Sequence, residues 1–245
     1  MRWFAGVTLI VGLGGATGGQ ALAQGFPDLG YMGTTIGAGG LQASAMNGVI
    51  AQSLESSEAG GAPTFAPSQT LSVTAYRADP QVTLRVRRQF ADWMGKQAGP
   101  EGGRQVAAAM ERTDPVQNWA RLVASDGLRP GDTADALTAY WVMNWMIANG
   151  GDNTRTQTQA VRNQVRPVIA SNPAYARLNE AQRQEFAEIL MLNFLIQHAA
   201  YVEAMQRGDQ AVLQKLADAA VARFRSEMGV DLRQLQLTDR GLIKR

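Results

Sequence analysis

Apolar residues recur at three- and four-residue steps along most of the chain beyond residue 78, with polar residues between them. Val82, Val86 and Phe90 show this spacing first, and arginines occupy other parts of the same helical wheel. Such spacing places apolar side chains on one face of an α-helix. The pattern predicts an all-α fold, with a single compact domain of six or seven helices over residues 79–245.

Residues typical of helix N-caps divide this region into helices. Asp79 and Asp114 each precede a proline, which is the usual order of an N-cap and a first helical residue. Asp132 precedes another periodic segment, and Asn179 with Gln182 has the spacing of a capping box. Each of these caps predicts that a helix begins at the next residue.

Two predicted helices, 137–148 and 186–201, are apolar on nearly all sides. A helix of this kind needs neighbours all around it, so both are expected at the centre of the domain. The residues after Gly229 form a tail whose apolar side chains are expected to hold it against the helices. These are Val230, Leu232, Leu235 and Leu237.

The first 23 residues have the layout of a secretory signal peptide. Met1-Arg2 is basic, residues 3–13 are mostly apolar, and Ala21-Leu22-Ala23 matches a signal-peptidase site that leaves Gln24 as the new N-terminus. The apolar run is too short to span a bilayer, which takes about 20 residues. We therefore expect a periplasmic or secreted protein with no transmembrane segment after cleavage.

Residues 24–78 form a segment rich in Gly, Ala, Ser and Pro that precedes the helical pattern. Such a segment has little apolar surface to bury, which predicts a largely disordered, flexible arm. Residues 70–76 alternate apolar and polar side chains and could form one short strand or pack in extended form on the helices. The alternative for the whole arm is an extended segment that docks through its few large apolar residues, namely Phe26, Tyr31, Ile36 and Phe65.

Composition excludes several kinds of chemistry. The chain has no cysteine and a single histidine, His198, so disulfides, thiol catalysis and thiolate or multi-histidine metal sites are ruled out. The formal net charge is +2 and falls to about +1 when Arg2 is removed with the signal peptide. So small a charge argues against nucleic-acid binding. No catalytic residue, metal site or cofactor is predicted.

Four aromatic residues are candidates for a ligand-binding wall: Trp119, Tyr140, Trp141 and Trp145. Aromatic walls bind sugars, small ligands or peptides. At helical spacing, however, such residues more often fill the core, and core packing is the favoured interpretation.

Two polar residues on the apolar helices complete the candidate binding site, Asn144 and Glu188. A buried carboxylate requires a partner, and Arg162 or Arg166 on the preceding helix is the expected one. A structural ion pair is favoured over an acid–base residue with a raised pKa. A shared polar network is also considered; it would join Asn144, Gln164, Glu188 and Asn193.

Three segments together resemble a bacterial family of exported proteins that carry a helical domain of unknown function. They are residues 133–141, which include Asp135 and Trp141, residues 160–165, which include Gln164, and residues 237–241. The resemblance extends over about residues 79–242. It implies a helical fold and export, and it implies no site.

These observations favour an exported, non-enzymatic protein that binds a partner protein or small ligand in the cell envelope or outside the cell. A purely structural or assembly role is a related hypothesis. The alternative from a different class is a carboxylate-dependent hydrolase or lyase of the periplasm, which would work through residues such as Glu188 and Asp135.

Overall fold

The computed structural model describes residues 73–245, and the predicted signal peptide and the arm up to residue 72 lie outside the described residues. The described part is mostly helical. Its α-helices are α1 (Pro80–Arg112), α2 (Pro115–Val123), α3 (Thr133–Asn149), α4 (Arg155–Ser171), α5 (Pro173–Ala176), α6 (Glu180–Arg207) and α7 (Gln210–Met228). Two strands follow, β1 (Leu235–Thr238) and β2 (Gly241–Lys244).

The predicted N-caps are confirmed. The side chains of Asp79, Asp114 and Asp132 each accept a hydrogen bond from a backbone N–H in the first turn of the helix that follows. Asn179 and Gln182 form the reciprocal bonds of a capping box at the start of α6. Short polar side chains at these positions therefore satisfy amides that the helix itself leaves unpaired.

Helix α1 reverses direction in its middle. Gly99 has a φ of 81°, and Pro100 follows it, so two helical stretches meet at a sharp bend. The stretches cross closely: a Cβ atom at Gly103 would lie 2.9 Å from Gly95 Cα. Glycine at this crossing lets the two backbones approach and makes α1 a helical hairpin.

The centre of the domain is where the two apolar helices were expected. Every residue of α3 from Thr133 to Ala148 is buried, and α3 packs most extensively against α6. Helix α6 contacts α1 through a second, separate apolar cluster that contains Phe90 and Trp93 of α1. Helix α6 thus separates the main core from the cluster under α1.

The C-terminal residues correct the all-α prediction. Strands β1 and β2 pair antiparallel, with Leu237 opposite Leu242. Leu235 and Leu237 are buried while Gln236 between them is exposed, so the strand follows the two-residue period of a sheet with one buried face. The expected contact of the tail leucines with the helices is confirmed, but they make it from a β-hairpin.

Residues 74–79, which we name the strap, lie across the N-terminal end of α3. Ala75 forms an isolated antiparallel bridge with Asp132, and the Tyr76 amide donates to the Gly131 carbonyl over 2.9 Å. Thr74 and Tyr76 are buried. Of the predicted extended segment 70–76, the described residues 73 and 74 are helical and only Ala75 forms a strand-like bridge, so the strand prediction holds at one residue.

Candidate functional site

A polar seam joins α6 to α1 and the strap, and it consists of the buried Gln184 and Glu188 and the half-buried Thr83. Thr83 Oγ1 donates to Glu188 Oε1 over 2.7 Å, and Gln184 Nε2 donates to the same oxygen over 2.8 Å. Glu188 is 4% exposed, and no Lys or Arg among the described residues forms an ion pair with it. Burial therefore raises the pKa of Glu188, while the two donors and the Arg87 guanidinium oppose that rise.

Gln184 also holds the strap through its backbone. The Asp79 amide donates to Gln184 Oε1 over 2.8 Å, and Gln184 Nε2 donates to the Asp79 carbonyl over 2.9 Å. The amide side chain thus pairs with both polar groups of one residue, as a neighbouring strand would. We call this arrangement a glutamine clamp.

A second glutamine clamp holds the C-terminal hairpin. Gln164 Nε2 donates to the Leu242 carbonyl over 3.1 Å, and the Leu242 amide donates to Gln164 Oε1 over 2.8 Å. At the other edge of the hairpin, Trp145 Nε1 donates to the Leu235 carbonyl over 3.0 Å. Side chains from α3 and α4 thus satisfy backbone groups on both edges of the hairpin.

Charged residues cluster at the N-terminal end of α3. Asp135 accepts from Arg162 Nε over 2.5 Å and from Arg166 Nη2 over 3.1 Å, and Arg166 also binds Asp132 over 2.5 Å. The Arg129 amide donates to Asp135 as well, over 3.1 Å. Burial and the Asp132 charge raise the pKa of Asp135, and the two guanidinium groups oppose them. The cluster contains two positive and two negative side chains, so its charges balance.

Two tyrosines lie near this charged cluster, and one of them, Tyr76, also lies near Glu188. Tyr175 donates through its hydroxyl to Thr133 Oγ1 over 2.8 Å, and burial raises the pKa of Tyr175 to about 12. Burial also raises the pKa of Tyr76, on which both Glu188 and Asp132 act electrostatically. Both phenols therefore remain protonated and neutral at physiological pH.

All four aromatic candidates lie inside the domain. Trp119, Tyr140 and Trp141 are at most 4% exposed, and Trp145 is 8% exposed. Tyr140 stacks on Phe224 of α7, and Trp141 meets the same ring edge-on with centroids 5.0 Å apart. Tyr140 and Trp141 therefore fill space between α3 and α7, where they can stabilise the packing of the two helices.

Asn144 is buried beside these aromatic rings and has partners of its own. Its Oδ1 accepts from Arg223 Nη2 over 2.8 Å, and its Nδ2 donates to the Tyr140 carbonyl over 2.7 Å. The amide of Asn144 thus joins α3 to α7 at a depth where an unpaired polar group would be costly.

Two predicted pairings were wrong. Arg162 and Arg166 bind Asp135 and Asp132 rather than Glu188, because α4 packs mainly on α3 and not on α6, which carries Glu188. The shared network of Asn144, Gln164, Glu188 and Asn193 does not form either. Asn144 pairs with Arg223 and Gln164 with Leu242, so their partners come from elements that the sequence pattern could not place beside them.

Several residues of the seam were not anticipated from the sequence. Gln184 and Thr83 are the principal partners of Glu188, and Tyr76 contributes the phenol that lies near it. One signal was present: Gln184 lies four residues before Glu188, so both occupy one face of α6. The partner on α1 had no such signal, because Thr83 is 105 residues away from Glu188 along the chain.

Some chemistries have no counterpart in the described part of the chain. No group of three or more His, Cys, Asp or Glu side chains between residues 73 and 245 could hold a metal ion. Within the same residues no helix combines the length and apolar character needed to cross a membrane.

The architecture defines a mostly helical domain closed by a C-terminal β-hairpin. Residues 5–245 match a family of unknown function, DUF6683, and the chain belongs to this family. The expectation of an uncharacterised family is thereby confirmed. No curated protein and no solved structure shows a significant match to the chain.

Proposed function

We propose that this protein is an exported, non-enzymatic binding protein whose partner is another protein of the cell envelope or the extracellular space. The observation that supports this proposal is the internal pairing of three residues of the predicted site. Glu188 bonds to Thr83 and Gln184, Asn144 to Arg223, and Trp145 to the hairpin. Groups already paired inside the domain are poor candidates for contact with a substrate.

Recognition by such a domain would involve its outer surface, its arm, or both. Residues 73–245 contain 22 Lys and Arg against 18 Asp and Glu, a formal charge of +4. Residues 24–72 contain three acids, namely Asp28, Glu55 and Glu58, and no Lys or Arg. The arm and the domain therefore carry small formal charges of opposite sign, and complementary charge on a partner would affect the rate of association more than it would define the partner.

Export is the first part of the proposal to test. Protein recovered from the periplasm or the medium should have the intact mass of a chain that begins at Gln24. A cytosolic protein that retains Met1 would contradict the export component and leave the structural description of residues 73–245 unchanged.

Partner capture tests the binding component. The chain has no cysteine, so a single cysteine at Leu84, which is 49% exposed, can carry a photo-crosslinker on the mature protein. We expect one protein to be captured repeatedly from an envelope extract and to be displaced by unlabelled mature protein. Capture that is equal for the folded and heat-unfolded forms would contradict specific binding.

The carboxylate-enzyme alternative rests on the buried Glu188 and has its own test. Gln in place of Glu188 keeps the size of the side chain and removes its proton-transfer capacity. If a broad hydrolase screen detects turnover that Glu188→Gln abolishes at an unchanged melting temperature, the non-enzymatic proposal is overturned. If no turnover is detected, or if turnover is equal in both forms, Glu188 is not a catalytic residue for the substrates screened.

A further inference from the structure

The α1 hairpin is attached to the rest of the domain in a way that sets it apart. Its apolar residues form a cluster with Ile189 and Leu192 of α6, separate from the main core. Helix α6 is also the element against which α1 packs most extensively. Separation of α1 from α6 would therefore open this one interface, which we call the α1–α6 seam and which includes both the apolar cluster and the polar seam. The packing between α3 and α6 would stay in place.

Polar and charged contacts line the edge of this seam. Gln184 clamps Asp79, Thr83 donates to Glu188, and Arg85 binds Glu185 over 3.1 Å. All of these α6 residues lie within five positions, from 184 to 188. One turn of α6 thus makes most of the polar contacts to the start of α1.

Within this group, the charge of Glu188 is the one that neighbouring groups compensate least in the closed seam. Both of its hydrogen-bond donors, Thr83 and Gln184, are neutral, and the nearby Arg87 already binds Asp114 over 2.9 Å. Gln184 Nε2 has two hydrogens and three acceptors within reach: the Asp79 carbonyl, Thr83 Oγ1 and Glu188 Oε1. An ionised Glu188, the strongest of these acceptors, therefore leaves the Asp79 carbonyl and Thr83 Oγ1 to share the other hydrogen.

We propose that Glu188 makes the closure of the α1–α6 seam depend on its protonation, so that proton uptake keeps α1 closed on α6 and ionisation favours their separation. Opening the seam would let water hydrate the carboxylate, which burial otherwise prevents. By linkage, the state that hydrates the carboxylate is favoured when the carboxylate is charged. The inference does not depend on the proposed function.

Other groups around the seam modulate this effect. Arg87 stabilises the charged form of Glu188, whereas Asp114 disfavours it, and these two side chains bind each other. Tyr76 remains neutral because burial raises its pKa. Among the described residues, the titratable, charged and hydrogen-bonding groups whose contacts bear on Glu188 or on the edge of the seam are Tyr76, Asp79, Thr83, Arg85, Arg87, Asp114, Gln184, Glu185 and Glu188.

Thiol labelling of single-cysteine variants measures opening of the seam. Val86 is 1% exposed under α1, and Val161 is fully buried in the main core. Val86→Cys therefore reports on the seam, and Val161→Cys is the matched control. Labelling with a dithiodipyridine is followed across about pH 5 to 8. Each rate is divided by the rate of the same variant unfolded in denaturant, because thiol reactivity itself rises with pH.

The expected result is a severalfold rise of the normalised Val86→Cys labelling rate with pH, in a background that retains Glu188. The rise should disappear in Glu188→Gln and should be absent for Val161→Cys. An equal rise with and without Glu188 would overturn the proposal. So would an equal rise at both cysteine positions, which would indicate global unfolding.

A second variant keeps the test decisive if Glu188→Gln does not fold. Thr83→Val removes one donor to Glu188 while it preserves the shape of the side chain. Loss of this donor disfavours the charged form of Glu188. The midpoint of the rise in labelling rate should therefore lie at a higher pH than it does with Thr83 present. A purely structural role for Thr83 would increase labelling equally at every pH and would contradict the proposal.

Discussion

Gln164 and Gly241 approach so closely that a Cβ atom at position 241 would lie 2.0 Å from Gln164 Oε1. Gly241 also has a φ of 105°, which L side chains rarely adopt. The absence of a side chain at this position allows Gln164 to reach the Leu242 backbone. The segment containing Gln164 and the segment ending at Gly241 are two of those on which the family resemblance rests, and the fold brings them into contact.

Gly241→Ala is predicted to destabilise the domain more than an ordinary substitution at a left-handed glycine. Gly208 is the matched control, because it has a φ of 65° and a Cβ atom added there would meet nothing within 4 Å. Gly208→Ala should cost about 1–2 kcal/mol. Gly241→Ala should cost roughly 1–3 kcal/mol more, the value of the two hydrogen bonds that Gln164 would lose. Equal losses in urea denaturation would contradict the close contact.

Gln164→Glu tests the clamp from the other side. The carboxylate keeps the acceptor for the Leu242 amide and loses the donor to the Leu242 carbonyl. We expect a loss of about 1–3 kcal/mol in the free energy of unfolding. The control is Gln206→Glu on the exposed part of α6, which should change stability by less than about 0.5 kcal/mol. Similar effects of the two substitutions would show that the clamp contributes little.

Trp145→Ala is predicted to cost about 3–5 kcal/mol, and Leu190→Ala about 2–5 kcal/mol. Both side chains are at most 8% exposed, and Trp145 also donates to the Leu235 carbonyl. Leu84→Ala is the control for an apolar residue at the surface and should have little effect. An unchanged melting temperature for Trp145→Ala would support an exposed, ligand-binding ring instead.

Asp135→Asn is predicted to destabilise the domain by about 3–5 kcal/mol, because it leaves two mostly buried guanidinium groups without an adequate counter-charge. The comparison is Glu101→Gln, which removes an exposed ion pair with Arg104 and should have no measurable effect. A double-mutant cycle with Arg162→Met isolates the coupling between the two charges. Additive effects in that cycle would contradict a direct interaction.

The pH dependence of stability should differ between the wild type and Glu188→Gln. Because burial raises the folded-state pKa of Glu188, the unfolded chain loses its proton first as the pH rises above the ordinary value of 4.5. The folded state then binds more protons, so the stability contributed by this group is lost as the pH rises through the folded-state pKa. Glu188→Gln removes that decline. The contribution of Asp135 to the pH dependence is the same in both proteins and cancels in the comparison. Parallel stability curves would contradict the raised pKa.

Local signals made the helices predictable from the sequence. The predicted start of α6 at residue 180 agrees with the structure because the Asn179 cap acts within one turn, and Gly208 ends the helix in the same local way. The β-hairpin was missed although Leu235 and Leu237 alternate with polar residues. Its turn, Asp239-Arg240, lacks the glycine or asparagine that usually marks a two-residue hairpin loop.

The site was less predictable because its pairings depend on which helices become neighbours. The sequence indicated that Glu188 is buried and needs a partner, and both expectations hold. It could not identify Thr83 as that partner, since the order of helices around α6 is set by packing over the whole domain. The same limit applied to Arg162, because its position on the face of α4 did not indicate whether its partner is Asp135 or Glu188.

The two glutamine clamps also bear on how fast the domain folds and unfolds. Each joins residues far apart in the chain, by 105 positions for Gln184 and Asp79 and by 78 for Gln164 and Leu242. Contacts this distant are expected to form after the local helical contacts and to be missing from the transition state. Loss of a clamp should then speed unfolding and leave the refolding rate nearly unchanged. The clamps would thus set the lifetime of the folded chain rather than the speed at which it forms.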